Sequence, residues 1–363
     1  MLARSLSAHR HACRALSSSA ASASALISPE ALRSALAGRA AAPVVLDASY
    51  FLPAAGRNAR GEYAATARIP GAVFWDLDAI ATPSELPHML PDARTLSWAC
   101  SRAGIRSASD RVVVYDSVGT FSAPRAWWTL RCFGFEDVLV LDGGLPAWQA
   151  AGFDARPEPG SALYADGGDE SGAGDAVTAA AAAADALLPG MQSSAAAGAA
   201  WTLDQVLEHA RAHCRGGSEG ELVATGPAAA PRPTSQDATV AEHILVDARS
   251  SARFRGEAAE PRAWLPSGHI PGSVNVPFDS LLQEEKEGTA GTRLLPPDRL
   301  RLAFAAAGVD VTAESPRVVT TCGSGITAAV LSLALREAGR PEAATTLFDG
   351  SWAEYGAAAS RHR

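Results

Sequence analysis

Short apolar runs alternate with stretches of helical period along most of this chain. Val44-Val45-Leu46-Asp47, Val113-Val114-Tyr115-Asp116, Ile244-Leu245-Val246-Asp247 and Arg317-Val318-Val319-Thr320-Thr321 have strand length and β-branched character. Ala126–Phe133 and Ala328–Ala338 carry helical patterns between such runs. This alternation predicts α/β architecture built on a largely parallel sheet. Ser28-Pro29-Glu30 supplies an N-cap, a first-turn proline and a first-turn acid, so the fold is expected to open there with a helix.

The pattern occurs twice. Val44-Val45-Leu46-Asp47 is echoed by Ile244-Leu245-Val246-Asp247, and Ile69-Pro70-Gly71 by Ile270-Pro271-Gly272. Val113–Asp116 lines up with Thr320-Thr321-Cys322, and Leu141-Asp142-Gly143 with Phe348-Asp349-Gly350, in the same order. Four ordered matches predict two tandem domains, 26–156 and 201–357, each a mainly parallel sheet flanked by helices. Residues 157–200 are rich in Ala, Gly, Ser and Asp, including the run Ala179–Ala184, and are expected to form a flexible linker that buries little. Trp201–His213 recovers a helical pattern, 215–240 looks like a low-complexity surface insertion, and 358–363 like a tail. Ligands bind parallel sheets at the carboxyl ends of strands, where Asp247, Cys322 and Asp349 all fall.

Composition narrows the function. A net charge of −8 argues against general nucleic-acid binding, and no apolar run has the length of a membrane span. Lys286 is the only lysine, which excludes a Gly-Lys-Ser/Thr phosphate loop and disfavours Schiff-base chemistry. Five scattered cysteines without CxxC or metal spacing suit a reducing compartment and argue against zinc. The first 29 residues hold no acid and carry Arg4, Arg10 and Arg14 among Ser, Ala and Leu. That is transit-peptide composition, so residues 1–25 are expected to direct the chain to the mitochondrion, with plastid or cytoplasm as the alternatives.

The chemistry centres on Cys322. It ends the run Arg317–Thr321, and Gly323-Ser324-Gly325-Ile326-Thr327 then opens an Ala/Leu-rich helix. Backbone N–H groups and the positive helix end would face the sulfur, surroundings that favour a working thiolate. A cysteine-dependent phosphatase uses a similar cradle, but it needs an arginine six positions on, where Ala328 stands.

Two copies of this repeat, with Asp116 where the second has Cys322, resemble the tandem rhodanese family. The resemblance covers 26–356 apart from the two low-complexity stretches, and implies an inert first domain and a catalytic second one. The loop Cys322–Thr327 is similar to the 3-mercaptopyruvate sulfurtransferase branch; thiosulfate-using members carry two cations where Gly323 and Ser324 stand. Thiosulfate is a dianion whose sulfite must leave, so a neutral loop favours an organic donor. Arg253 and Arg262 fall on positions that hold mercaptopyruvate in the family, as suits the bidentate fork of arginine, with Ala252 in place of the usual glycine. Asp247 and Arg249 are expected to brace the loop. The family's Ser–His–Asp relay maps onto Ser324, His88 and Asp78, with Asp76 a substitute for Asp78, and would place the site between the domains.

Further readings follow from the same likeness. Trp127 and Trp128 belong to core packing, and His269 is a structural turn histidine whose counterpart in the first copy is Arg68, so any hydrogen bond there must differ. The resemblance implies ping-pong sulfur transfer from 3-mercaptopyruvate, through a Cys322 persulfide, to thioredoxin, a small thiol or cyanide, with no metal or organic cofactor. The alternatives are a thiosulfate:cyanide sulfurtransferase and a non-catalytic rhodanese-like binding module.

Overall fold

The structure is a computed structural model that describes residues 24–38, 42–157, 173–182, 186–195, 199–214, 222–227, 243–284 and 291–361. Residues 1–23 of the expected transit segment and most of the 215–240 insertion lie outside the described residues. Strands β1 (Leu26–Ile27), β2 (Val44–Asp47), β3 (Val73–Phe74), β4 (Val112–Tyr115) and β5 (Val138–Leu141) form one sheet in the order β1-β5-β4-β2-β3. Strands β6 (Ala200–Trp201), β7 (His243–Asp247), β8 (Val274–Asn275), β11 (Arg317–Thr321) and β12 (Thr345–Phe348) form the second in the order β6-β12-β11-β7-β8. Every pairing in both sheets is parallel, and the two orders are the same, so the sequence repeat is a repeat of topology. A short antiparallel hairpin, β9 (Leu282–Glu284) and β10 (Thr292–Leu294), stands apart from both.

Helices cover these sheets: α1 (Pro29–Ala37), α2 (Ala59–Ala65), α3 (Ala93–Arg102), α4 (Ala123–Cys132) and α5 (Gly144–Ala150) in the first half. After α6 (Ala173–Ala182) come α7 (Leu203–His213), α8 (Ser251–Arg255), α9 (Pro297–Ala306), α10 (Ile326–Glu337) and α11 (Ser351–Arg361). The Ser28 side chain caps α1, accepting from Ala31 N at 3.2 Å. Thr202 and Gln205 close a capping box on α7. The central strands β4 and β11 are buried almost throughout, which is why their sequences are continuous apolar runs.

Helices α4 and α10 hold the halves together. Each starts just beyond the loop at the end of a central strand, and each is buried on nearly every face. They pack against one another, which removes any need for a polar stripe. Trp127 and Trp128 of α4 are buried. Ser24 Oγ and Ala25 N, ahead of β1, donate to Glu337 at the end of α10 at 2.8 and 2.7 Å, adding a second tie between halves.

Two expectations need correction. The 157–200 stretch does more than link: α6 packs on α3 with Val177 and Ala181 buried, and Leu188 N donates to Ser97 Oγ at 3.0 Å. The tail from 358 is instead the end of α11, with Ala358 and Ala359 buried against the core. The hydrogen bond at Arg68 differs from that of the turn histidine in its donor. His269 Nδ1 bonds to Phe254 O at 2.8 Å, and the buried Arg68 donates through Nη1 to Tyr63 O, another aromatic residue's carbonyl.

Candidate active site

Cys322 follows β11 directly and is 2% exposed. Gly325 takes a left-handed conformation (φ 88°), which turns its N–H back to Cys322 Sγ at 3.1 Å. The start of α11 shapes the loop from behind. Trp352 N donates to Cys322 O at 2.9 Å and Ala353 N to Gly323 O at 3.0 Å, so loop carbonyls are drawn away from the sulfur. Ser351 Oγ accepts from Cys322 N at 3.2 Å and sits 3.9 Å from Sγ. Sequence reasoning missed Ser351; its place just after the repeated Asp-Gly motif was the available signal.

The arginine segment reaches the same loop. A Cβ built on Gly323 would lie 3.0 Å from Arg253 Nη2, so that guanidinium rests against the residue beside Cys322. Arg249 is fully buried: its Nε and Nη2 donate to Asp247, the closest contact being 2.6 Å, and Nη2 also donates to Gly268 O at 2.9 Å. Its face lies 4.4 Å from the Trp352 ring. Asp247 and Arg249 therefore form a buried pair at the strand end. Glu260, which sequence reasoning overlooked, is buried between Arg249 Nη1 (2.8 Å) and Arg253 Nη2 (2.5 Å). Arg262 is half-buried and close enough for its charge to act on Tyr50 of the first half.

The first half contributes His88 and Asp78. His88 is buried, has φ 59°, and places Nδ1 2.7 Å from Asp78 Oδ1, although the N–H direction misses hydrogen-bond alignment. Asp76 is occupied elsewhere: it pairs with Arg60 at 2.7 Å and accepts from Asp78 N and Ala79 N. The carboxylate against His88 is thus Asp78. The buried His88 Nε2 has no hydrogen-bond partner, and no hydrogen bond joins Ser324 to His88, so the three relay residues do not form a closed chain. Tyr50 packs edge-on to the His88 ring at 4.6 Å, and burial, then the charge of Asp78, push its phenol up to about 12.

Arg125, from α4, ties these parts together. It is 2% exposed and donates to Asp349 Oδ1 at 2.6 Å, to the His88 carbonyl, and weakly to Gly325 O at 3.5 Å. Asp349 Oδ2 also accepts from Leu90 N at 2.7 Å. One buried ion pair therefore holds the His88 segment against the Cys322 loop. Clefts of about 260 and 290 Å³ open on either side of Asp78, and Cys322 lines neither. Among the described residues no His, Cys, Asp or Glu group is arranged to hold a metal, and no helix is long and apolar enough to cross a membrane.

The corresponding loop of the first half is filled by Asp116. One carboxylate oxygen accepts from Val118 N and Gly119 N, the other from Phe121 N, Ser122 N and Ala123 N, all at 2.8–3.0 Å. The mouth of this loop is closed by the hairpin: Thr292 N donates to Val118 O at 3.3 Å, and a Cβ on Gly119 would lie 2.1 Å from Thr292 O.

The rhodanese-like domain family matches residues 28–151 and again 234–358. The chain is 36% identical over 322 residues to thiosulfate/3-mercaptopyruvate sulfurtransferase 1, mitochondrial, of Arabidopsis thaliana, covering 86% of this chain and 71% of that relative. It is 34% identical over 309 residues to the 3-mercaptopyruvate sulfurtransferase of Escherichia coli K12, covering 84% and 85%. The fold is similar to the crystal structure of Tum1 from Saccharomyces cerevisiae, with TM-score 0.66 and 26% identity over 91% and 94% of the chains. It is also similar to SseA from E. coli, with TM-score 0.60 and 30% identity over 91% and 99%.

Proposed function

The chain belongs to the rhodanese family, and from that membership we propose a sulfurtransferase that moves sulfur from 3-mercaptopyruvate to a thiol or cyanide. One observation carries the donor choice: a neutral Cys322 loop with the Arg253 guanidinium laid against Gly323. In the first half-reaction the Cys322 thiolate attacks the donor sulfur. An S–S bond forms, the C–S bond breaks, and its electron pair leaves as the enolate of pyruvate. The enolate takes up the donor's thiol proton, so pyruvate departs and Cys322 keeps the outer sulfur as a persulfide. Attack on that sulfur by thioredoxin, a small thiol or cyanide restores the cysteine.

The roles of the surrounding groups follow from their positions. Gly325 N–H stabilises negative charge on sulfur, as an oxyanion-hole donor does on oxygen. Arg253 and Arg262 orient the donor's carboxylate. His88, held near Asp78 with Nε2 unpartnered, shuttles the proton, and Ser324 completes the relay once substrate orders the cleft. Ser351 fixes the cysteine backbone. The names of the Arabidopsis relatives favour thiosulfate as a second donor. Targeting to the mitochondrion rests on the composition of residues 1–25 and on one relative's name, and an import assay with and without that segment tests it.

Intact-mass measurement tests the chemistry. After separate incubation with each donor, the wild type gains one sulfur and Cys322→Ser gains none. No adduct from either donor would instead mark a binding module. A larger specificity constant for thiosulfate would reverse the donor assignment.

A further inference from the structure

Arg253 does not present a free guanidinium. Its Nε and Nη2 donate to Glu260 at 3.2 and 2.5 Å, so the edge with which arginine commonly grips a carboxylate is already filled by the protein. Glu260 cannot swing away easily. Its side chain is 1% exposed, and Oε1 also accepts from Arg249 Nη1 at 2.8 Å. Arg249 is itself held by Asp247 and the Gly268 carbonyl through Nε and Nη2.

Two consequences follow for a donor lying over Gly323. The first is geometric: only Nη1 and the outward side of Nη2 are left, and Nη2 is the atom next to the Cys322 loop. The second is electrostatic. Two carboxylates, Asp247 and Glu260, offset two guanidiniums, Arg249 and Arg253, within one buried cluster. Arg262 has no hydrogen bond or ion pair through its side chain, so it is the half-buried guanidinium here that lacks a counter-charge. With no cation at Gly323 or Ser324, the site offers little excess positive charge.

We propose that Glu260 determines donor specificity, by cancelling the charge of Arg253 while fixing its free edge toward Gly323. A singly charged carboxylate donor then finds one oriented contact and one net cation, whereas the thiosulfate dianion finds too little charge. This inference rests on the sulfurtransferase reading above and assigns that site's selectivity to a residue that touches no donor atom. Glu260 is a positioning residue in this account.

Glu260→Gln keeps the shape and removes the charge. Persulfide formation on Cys322 is measured for thiosulfate and for 3-mercaptopyruvate as rate against donor concentration. The ratio should move toward thiosulfate by about tenfold in Glu260→Gln, and the shift should shrink with added salt. Glu260→Asp keeps the charge but shortens the reach, so it should raise KM for 3-mercaptopyruvate and leave the ratio near the wild-type value. A ratio within about twofold of wild type in Glu260→Gln, or a parallel loss of both donors in both variants, overturns the proposal. Calorimetry in a Cys322→Ser background makes the test independent of turnover, with pyruvate as the monoanion and sulfate as the dianion. The same relative gain for sulfate is expected on adding Glu260→Gln; no relative gain, or no binding of either anion, overturns it. A wild type that forms no persulfide while this binding shift appears would sink the sulfurtransferase reading alone.

Discussion

The loops after β4 and β11 begin from the same topology and end with opposite purposes. Asp116 gives its loop a built-in carboxyl group, and five backbone N–H groups close on its two oxygens. Cys322 receives a single N–H on sulfur, from Gly325. Their lengths differ too: α4 begins at Ala123, seven residues past Asp116, whereas α10 begins at Ile326, four past Cys322. The covers differ most. Thr292 of the hairpin closes the Asp116 loop, while the Cys322 loop meets Arg125, which also holds the His88 carbonyl, across the interface. A cradle for negative charge is thus either a finished structural joint or a reactive site, depending on whether the anion is built in or acquired.

The difference can be attacked by exchange. In Asp116→Cys combined with Cys322→Ser, the thiol sits under the hairpin rather than in the loop against which Arg253 lies. It should gain no sulfur from either donor by mass, with turnover at least about a thousandfold below wild type. Measurable transfer from position 116 would show that covers and cations matter less than the loop itself. Asp116→Ala leaves five N–H groups without their acceptor, and denaturant unfolding should show a loss of about 3–5 kcal/mol. The Cys322 site of the protein that remains folded should form persulfide at a rate within about twofold of wild type.

Smaller effects sharpen the contrast. Arg253→Ala should raise KM for 3-mercaptopyruvate by about 10- to 100-fold, the worth of a charge-assisted contact, and leave cyanide discharge of the persulfide little changed. Equal losses in both half-reactions would remove Arg253 from the donor site. The smallest effect concerns the strand ends Asp47 and Asp247. Asp247 has Arg249 beside it, whereas Asp47 has no cation but Ser49 N and Oγ and the Tyr115 hydroxyl, and burial raises its carboxyl to about 6. The folded state therefore binds the proton more tightly than the unfolded chain does. Its contribution to stability is full below the ordinary carboxylate range and is lost as pH rises through about 6. Between pH 7 and pH 5 this amounts to about 1 kcal/mol of added stability on acidification. Melting curves of Asp47→Asn should lack that component; an unchanged pH slope would mean that Asp47 ionises freely.

Local and periodic features were legible in the sequence. The ordered echoes of Val44–Asp47 and Val113–Asp116 foretold two sheets of one topology, and Cys322 after its β-branched run foretold the loop. What stayed hidden depends on contacts far along the chain. Arg125 looked like part of a helix start, yet its partner Asp349 lies 224 residues away. Glu260 sits among exposed residues in a short acidic stretch, and nothing in its neighbours announces that it is buried. The hairpin that closes the Asp116 loop flanks a stretch outside the described residues, and its antiparallel pairing broke the parallel pattern that guided the rest. The relay reading likewise gave no hint that Ser324 and His88 would lack a bond.

The clasp between Arg125 and Asp349 bears on how such a duplicated gene can change afterwards. A shortened gene that shed the first half would strip a buried carboxylate of its cation and bare the apolar surface of α10. Loss of one copy would therefore destabilise the other, and the duplication is harder to undo than to make.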